Sequence, residues 1–335
     1  MKICLVCASG GHLTEMLSLK NAFDSHDVFL VTYKEKFRNF PKNIKRIYFI
    51  PNILVDRVQV NRAKKMLLII LQLLISAGKE LRILLNERPD VVISTGSEIA
   101  IPICYLAKIF NKKVIFIESL CRINDLSGTG KIVSPISDIF LVQWDTLIGK
   151  CKKAQYHGNV LQAHFNLDQS YELDKESFIF VTVGTAHFPR LVEKMDEISK
   201  MLDLKVIMQI GKTNYKPKNT EYFDFLDNEK FRELIKRAKI VISHAGVGSI
   251  MTILEEGKPL LLVPRLKKYG ESIDDHQIEI TRELEMVGWI KAVYDVEMLD
   301  VMLKNSSINS NANYAELKKD DDLSIALSEY ISRLS

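Results

Sequence analysis

The 335-residue chain lacks a disulfide framework. Its cysteines number five, an odd count, and all lie in the first half: Cys4, Cys7, Cys104, Cys121 and Cys151. Cys4-Leu5-Val6-Cys7 has C-x-x-C spacing, but in a strand-like run side chains three apart point to opposite faces. No second C-x-x-C completes a zinc site. The thiols read as core packing in a reducing, cytosolic compartment. Long hydrophobic runs are also missing. The longest, 66–77, holds about 12 residues and is interrupted by Gln72, short of the ~20 that span a bilayer. No secretory leader is read at the start, where Met1-Lys2 runs straight into Ile3-Cys4-Leu5-Val6. No Lys/Arg block is interleaved with aromatics, so no nucleic-acid partner is expected. No H-E-x-x-H occurs, and the D-x-D match Asp320-Asp321-Asp322 lies in a polar tail, so no metal is expected. The formal net charge of +4 suits an anionic substrate or membrane surface without requiring one.

Short apolar runs alternate with helical patterns. Strands are expected at 3–8, 28–32, 47–50, 91–94, 114–118 and 139–142, with a helix at 13–23. The pattern then restarts, with strands at 178–183, 205–210, 240–243 and 260–264. Helices are expected at 191–202, 249–256 and 275–287. Runs of four to six apolar residues separated by helices imply parallel sheets covered on both faces. The reading gives residues 1–168 to an acceptor- and membrane-facing domain and 175–305 to a nucleotide-sugar domain. Residues 306–335 form a polar loop and a last helix. That helix has Leu323, Ala326, Leu327, Tyr330, Ile331 and Leu334 on one face, and is expected to return to the first domain. The polar stretch 169–176 is the expected linker.

Residues 57–88 read as a basic, apolar helix. Arg57, Arg62, Lys64 and Lys65 lead into Met66-Leu67-Leu68-Ile69-Ile70-Leu71-Gln72-Leu73-Leu74-Ile75. Apolar residues nearly all round a helix mean deep burial or partial insertion in lipid. The second alternative makes the protein monotopic, its cations attracted to an anionic leaflet.

Ile240-Val241-Ile242 leads into Ser243-His244-Ala245-Gly246-Val247-Gly248-Ser249, a strand, a tight turn and a helix start. Glycine lets backbone approach phosphate oxygens, and a helix N-terminus offers free N–H groups to a diphosphate. Ser249 is expected to cap the helix or bond a phosphate. The turn lacks the third glycine of the dinucleotide fingerprint and the Gly-Lys-Ser/Thr of a P-loop. Strand ends of one parallel sheet gather at one edge, where ligands bind. Gly184-Thr185, Gln209 with Gly211, His244 to Ser249, Pro264-Arg265 and Asp275-His276-Gln277 are expected to meet there.

At these residues the second half resembles the catalytic subunit of the eukaryotic two-subunit transferase that adds the second GlcNAc to dolichol-diphosphate GlcNAc. It is also similar to the C-terminal half of the peptidoglycan lipid-intermediate GlcNAc transferase. The matching pieces are Val181 to Thr185, Gln209-Ile210-Gly211, Ser243 to Ser249, Glu256-Gly257-Lys258-Pro259 and Asp275 to Gln277. The first half resembles the membrane-recruiting partner subunit, through Ser9-Gly10-Gly11-His12, Pro89 to Gly96, Ile117 to Arg122, Leu126 to Lys131 and Val142-Gln143-Trp144. Bacterial exopolysaccharide and capsule clusters carry similar two-part enzymes that glycosylate a lipid-diphosphate sugar, and here both parts stand fused in one chain. The resemblance implies an α/β GT-B fold, with two Rossmann-like parallel-sheet domains facing a cleft. It implies inverting, metal-independent transfer from a UDP-sugar to a lipid-diphosphate sugar, at the inner face of the cytoplasmic membrane. Where the GlcNAc transferases carry a ribose-binding glutamate, this chain has Thr252, which opens the donor to galactose or glucuronate as well as GlcNAc. Arg265, Lys267 or Lys268 is then a candidate to hold a carboxylate or the diphosphate.

The candidate base is His12, at the tip of the first strand, whose ordinary pKa near 6.5 suits the role. Its rival role is holding the acceptor diphosphate. Glu118 is the alternative base, or a group that orients His12. Gly10, Gly11, Thr95, Gly96, Ser119 and Arg122 are the expected acceptor residues. Two other readings stay open: a UDP-GlcNAc 2-epimerase and a non-catalytic scaffold. A homo-oligomer also stays open.

Overall fold

The computed structural model describes residues 1–34, 44, 46–52, 62–161, 178–272, 274–304 and 322–334. The expected linker at 169–176, most of the polar stretch after 305 and Arg57 lie outside them. The chain divides into two compact units, Met1–Ala163 with Lys319–Ser335, and His164–Lys318.

The first unit is built on a seven-stranded parallel sheet. Its strands are β1 (Lys2–Cys7), β2 (Asp27–Tyr33), β3 (Arg46–Ile50), β4 (Val91–Gly96), β5 (Lys113–Ile117), β6 (Ile139–Val142) and β7 (Ala154–Tyr156). They lie in the order 3-2-1-4-5-6-7. Helices α1 (Gly11–Ser18), α2 (Arg62–Glu87), α3 (Ala100–Ile109) and α4 (Gly128–Val133) complete the crossovers. Central strands are apolar throughout because helices cover both faces, so Ile3, Cys4, Leu5, Val6 and Cys7 are all buried. Burial pushes the Cys4 thiol well above its ordinary range, as packing rather than reactivity requires.

The second unit carries a six-stranded parallel sheet. Its strands are β8 (Phe178–Thr182), β9 (Val206–Gln209), β10 (Glu221–Phe223), β11 (Ala238–His244), β12 (Leu260–Val263) and β13 (Lys291–Ala292). The order is 10-9-8-11-12-13. Helices α5 (Pro189–Ile198), α6 (Asn228–Arg237), α7 (Val247–Glu255), α8 (His276–Met286) and α9 (Leu299–Lys304) surround it. Each sheet reverses its winding beside its first strand, between β1 and β4 and between β8 and β11. Such switch points open a crevice at the strand C-termini.

The last helix, α10 (Leu323–Leu334), returns to the first unit as expected. Leu323, Leu327 and Ile331 are buried, and Tyr330 Oη lies 2.9 Å from His157 Nε2. The expected helix at 13–23 breaks in two: α1 ends at Ser18 and a 3₁₀ turn, Lys20–Ala22, follows. The helix expected at 191–202 divides the same way, α5 passing into Ser199–Met201.

Helix α2 turns polar side chains inward and apolar ones outward over part of its length. Gln72, Ser76 and Glu80, spaced four apart, are buried against the unit, while Leu67, Ile70, Leu71 and Leu74 face outward. Leu67 and Leu74 are 65% and 66% exposed, so this face of the helix is not deeply buried. Among the described residues no helix is long and apolar enough to cross a membrane.

Candidate active site

In the second unit, β8 and β11 run side by side at the switch point. Gly184 follows β8 with φ +63° and His244 closes β11. Glycine is required on both sides of this imidazole. A Cβ on Gly184 would lie 2.4 Å from His244 Nε2, and one on Gly246 would lie 2.1 Å from Cε1. Burial, and then the nearby Arg265 cation, hold the His244 pKa well below its ordinary value, so the ring is neutral at pH 7. Nε2 stands 3.2 Å from Ser249 Oγ.

Ser249 therefore does not cap the helix. Helix α7 begins earlier, at Val247, with Gly246 at its N-cap and no side chain capping it. A glycine there supplies the extended geometry but no oxygen, which leaves the first N–H groups to another acceptor. Thr252 Oγ1 donates to the Gly248 carbonyl one turn back, at 2.8 Å.

The neighbouring strand ends add polar groups. Gln209, at the end of β9, donates through Nε2 to the Gly184 carbonyl at 3.0 Å. Gly211 lies two residues further on, and Thr185 is exposed beside Gly184. Beyond β12, Pro264 leads to Arg265. The Arg265 backbone N–H donates to Gln277 Oε1 at 3.0 Å, and its guanidinium donates to the Val183 carbonyl and lies over Phe188. Asp275 accepts from the Lys267 amide at 2.9 Å, and His276 pairs with Asp274. The five segments expected to meet are thus joined by direct contacts along one sheet edge.

Three atoms here are buried without a hydrogen-bond partner among the described residues: Gln209 Oε1, His244 Nδ1 and Arg265 Nε. Each such atom costs about 1–3 kcal/mol. Glu271 accepts from Arg190 Nε and Nη2 at 3.0 and 3.1 Å, so one buried acid serves both Arg190 and Arg265. Burial lowers the Arg265 pKa to about 10, which still leaves it charged at pH 7. Two guanidinium groups thus stand around one buried carboxylate, beside the unpartnered polar atoms.

In the first unit, His12 stands at the corresponding switch point, beside β4. Its Nδ1 is 2.8 Å from the Thr95 carbonyl, and Thr95 Oγ1 donates back to the His12 carbonyl at 2.8 Å. A carbonyl only accepts, so Nδ1 carries the proton and Nε2 is the basic nitrogen of the neutral ring. Gly96 packs on that ring, with a Cβ placed there 3.4 Å from Cε1. Gly10, at φ +85°, leads into α1 without any side-chain cap.

Glu118 is engaged with its own loop. It is buried, its Oε1 accepts from its neighbour Ser119 N–H, and its Oε2 accepts from Ser127 N–H and Oγ. Ser127 in turn caps α4. The carboxylate braces the loop it lies in, and the Thr95 carbonyl holds the His12 ring through Nδ1. Burial raises the Glu118 pKa.

The loop bearing Ser119 and Arg122 is fixed by Glu15, which the sequence did not single out. Glu15 accepts from Ser119 Oγ at 2.9 Å, Leu120 N–H at 3.1 Å and Gln143 Nε2 at 2.8 Å. Trp144 Nε1 donates to the Leu120 carbonyl at 2.6 Å. Burial raises the Glu15 pKa to about 8. These partners lie more than a hundred residues apart from Glu15, so no local pattern marked it. The Arg190–Glu271 pair was missed for the same reason.

Two family models match. Residues 3–160 match "Oligosaccharide biosynthesis protein Alg14 like", and residues 178–327 match "Glycosyltransferase family 28 C-terminal domain". Human UDP-N-acetylglucosamine transferase subunit ALG14 is 32% identical over 184 residues, covering 48% of this chain and 83% of that protein. Human UDP-N-acetylglucosamine transferase subunit ALG13 is 36% identical over 121 residues, covering 33% of this chain and 10% of that protein. Among solved structures, MurG of Acinetobacter baumannii superposes with a TM-score of 0.62 at 16% identity, covering 99% of each chain. That likeness shows the GT-B fold.

Proposed function

The chain belongs to the Alg14-like oligosaccharide-biosynthesis family and continues into a glycosyltransferase family 28 C-terminal domain, and on that premise we propose that it transfers a sugar from a UDP-sugar to a membrane lipid-diphosphate-linked sugar. The observation that carries the donor half of this reading is the set of unpartnered atoms on Gln209, His244 and Arg265 at three strand ends. A nucleoside diphosphate supplies what they lack: phosphate oxygens for Arg265 and the free N–H groups of α7, and polar edges for His244 and Gln209.

In the proposed reaction the acceptor hydroxyl attacks the anomeric carbon from the side opposite the diphosphate. The new carbon–oxygen bond forms as the bond to the diphosphate breaks, which inverts the anomeric centre to β. His12 Nε2 takes the hydroxyl proton, and the Thr95 carbonyl holds the ring in the tautomer that leaves Nε2 basic. Arg265 and the α7 amides stabilise the charge on the departing UDP, so no metal is needed. Gly10, Gly11, Thr95, Gly96, Ser119 and Arg122 form the acceptor side. Thr252, engaged with its own helix, stands where the GlcNAc transferases carry the ribose-binding glutamate, so galactose, glucuronate or another sugar is as open as GlcNAc for the donor.

The outward apolar face of α2 supports peripheral docking on the cytoplasmic membrane, where the lipid acceptor resides. Titration calorimetry of the full chain with UDP tests the donor site. Saturable binding that weakens at least tenfold in Arg265→Ala is expected. Absence of binding by the unaltered chain rejects the donor site and favours the scaffold alternative.

A further inference from the structure

Strand β4 ends in a strained turn. Gly96 sits at φ +107° and Ser97 at φ +73°, and the second value is one that L-residues other than glycine rarely hold. The turn brings Glu98 to the C-terminal edge of the first sheet, one residue beyond the glycine-and-serine corner that packs on His12. Both carboxylate oxygens are held. Tyr33 Oη donates to Oε1 at 3.0 Å from the end of β2, and Ser97 Oγ donates to Oε2 at 2.6 Å. Tyr33 is buried and Glu98 is only half-buried.

The clamp leaves capacity unused. A carboxylate offers about four lone-pair positions, and the two donors occupy roughly half of them. Among the described residues no cation pairs with Glu98. Behind it lies Glu80, fully buried on α2, with neither oxygen hydrogen-bonded among the described residues. Burial, and then Glu98, push the Tyr33 phenol well above its usual range, so it stays a hydrogen-bond donor to Glu98. Burial holds the Glu80 carboxyl well above the usual carboxylate range, so the group presented at this edge is the half-buried Glu98, whose open acceptor positions suit hydroxyl donors.

We propose that Glu98 is a specificity-determining residue for the acceptor, accepting hydrogen bonds from two hydroxyls of its sugar while Tyr33 and Ser97 fix its orientation. The inference rests on the lipid-diphosphate-sugar reading above, and refines it by separating sugar recognition from diphosphate recognition within the first unit. The diphosphate then belongs on the Gly10–Gly11 side of His12, away from Glu98. A site that accepts from substrate hydroxyls discriminates strongly against analogues lacking them, because its own acceptors are otherwise stranded.

The test is calorimetric titration of the full chain, E98Q and E98A with four probes. Three are farnesyl diphosphate carrying GlcNAc, glucose or galactose, and the fourth is bare farnesyl diphosphate. The unaltered chain is expected to bind at least one sugar-bearing probe. E98A should bind that probe at least tenfold more weakly, and E98Q, which keeps the volume and one acceptor oxygen, should fall between. Both variants should bind bare farnesyl diphosphate and UDP as the unaltered chain does. Equal affinity for every sugar-bearing probe in all three proteins overturns the inference and leaves the transferase reading intact. A loss that extends equally to bare farnesyl diphosphate also overturns it, since Glu98 then shapes the loop rather than reads the sugar. If the unaltered chain binds none of the four, the lipid-diphosphate reading itself fails and takes this inference with it.

Discussion

Gly184 lies so close to His244 that a single added carbon would fall 2.4 Å from the imidazole Nε2. The contact joins the ends of β8 and β11 at the switch point of the second sheet, where the polar atoms without partners collect. Gly184→Ala is therefore expected to push the imidazole out of its slot and to strain a backbone held at φ +63°. UDP affinity should fall at least tenfold by calorimetry, with the first unit unaffected. Unchanged UDP binding would show that this slot is not part of the donor site.

His12 carries the complementary prediction. His12→Ala removes the nitrogen proposed to take the acceptor proton, and turnover should drop roughly 10²–10⁴-fold, the usual worth of a general base. UDP should bind as before, since the donor atoms are all on the other unit. A variant that turns over normally removes His12 from the mechanism.

Glu15 predicts a pH-dependent stability. Its pKa rises from an ordinary carboxyl value to about 8 in the folded chain, so the folded state holds an extra proton between those values. The sign follows: Glu15 stabilises fully below the unfolded pKa near 4.5 and loses that contribution as pH rises through about 8. The slope is at most about 1.4 kcal/mol per pH unit for one proton. Glu15→Gln reproduces the neutral carboxyl, with its carbonyl oxygen free to accept from Leu120 N–H and Gln143. Denaturant unfolding across pH 5–9, roughly the window set by that shift, should show a flatter stability profile in the variant. Identical profiles would mean that Glu15 titrates normally in the fold.

The α2 face is tested with vesicles. Leu67→Ser with Leu74→Ser removes two leucines that are about two-thirds exposed, each worth about 1–3 kcal/mol if buried in lipid. Sedimentation with phosphatidylglycerol vesicles should fall at least tenfold, while UDP binding is retained. Equal sedimentation would assign the membrane contact elsewhere.

Most central strands were legible because burial on both faces makes them continuous apolar runs, as in Ile3 to Val6 and Leu260 to Val263. The strands that escaped notice are β7, β10 and β13, edge or near-edge segments of two or three residues with polar side chains such as Glu221 and Lys291. Helix α6 escaped too, although Asp227 caps it and Phe231, Leu234 and Ile235 mark its inner face. The donor strand ends were legible because glycine and polar residues interrupt apolar runs at fixed places. The roles of Glu15, Glu98 and Glu271 were not, because each depends on a partner far away in sequence: Ser119, Tyr33 and Arg190 respectively. The place of Glu118 at a strand end was legible, but its hydrogen bonds to Ser119 and Ser127 in the next turn were not.

The central claim is transfer of a sugar between two diphosphate-linked substrates. The most direct measurement incubates the full chain with UDP-GlcNAc, UDP-galactose and UDP-glucuronate in turn, each with a farnesyl diphosphate monosaccharide, in chelator-treated buffer. Released UDP and the lipid product are followed together by mass spectrometry. The account predicts that at least one donor yields UDP and a β-linked lipid disaccharide in equal amounts, with no product when the acceptor is omitted. Conversion of UDP-GlcNAc to an isomer or free sugar without acceptor, and no disaccharide from any donor, would contradict it in favour of a 2-epimerase.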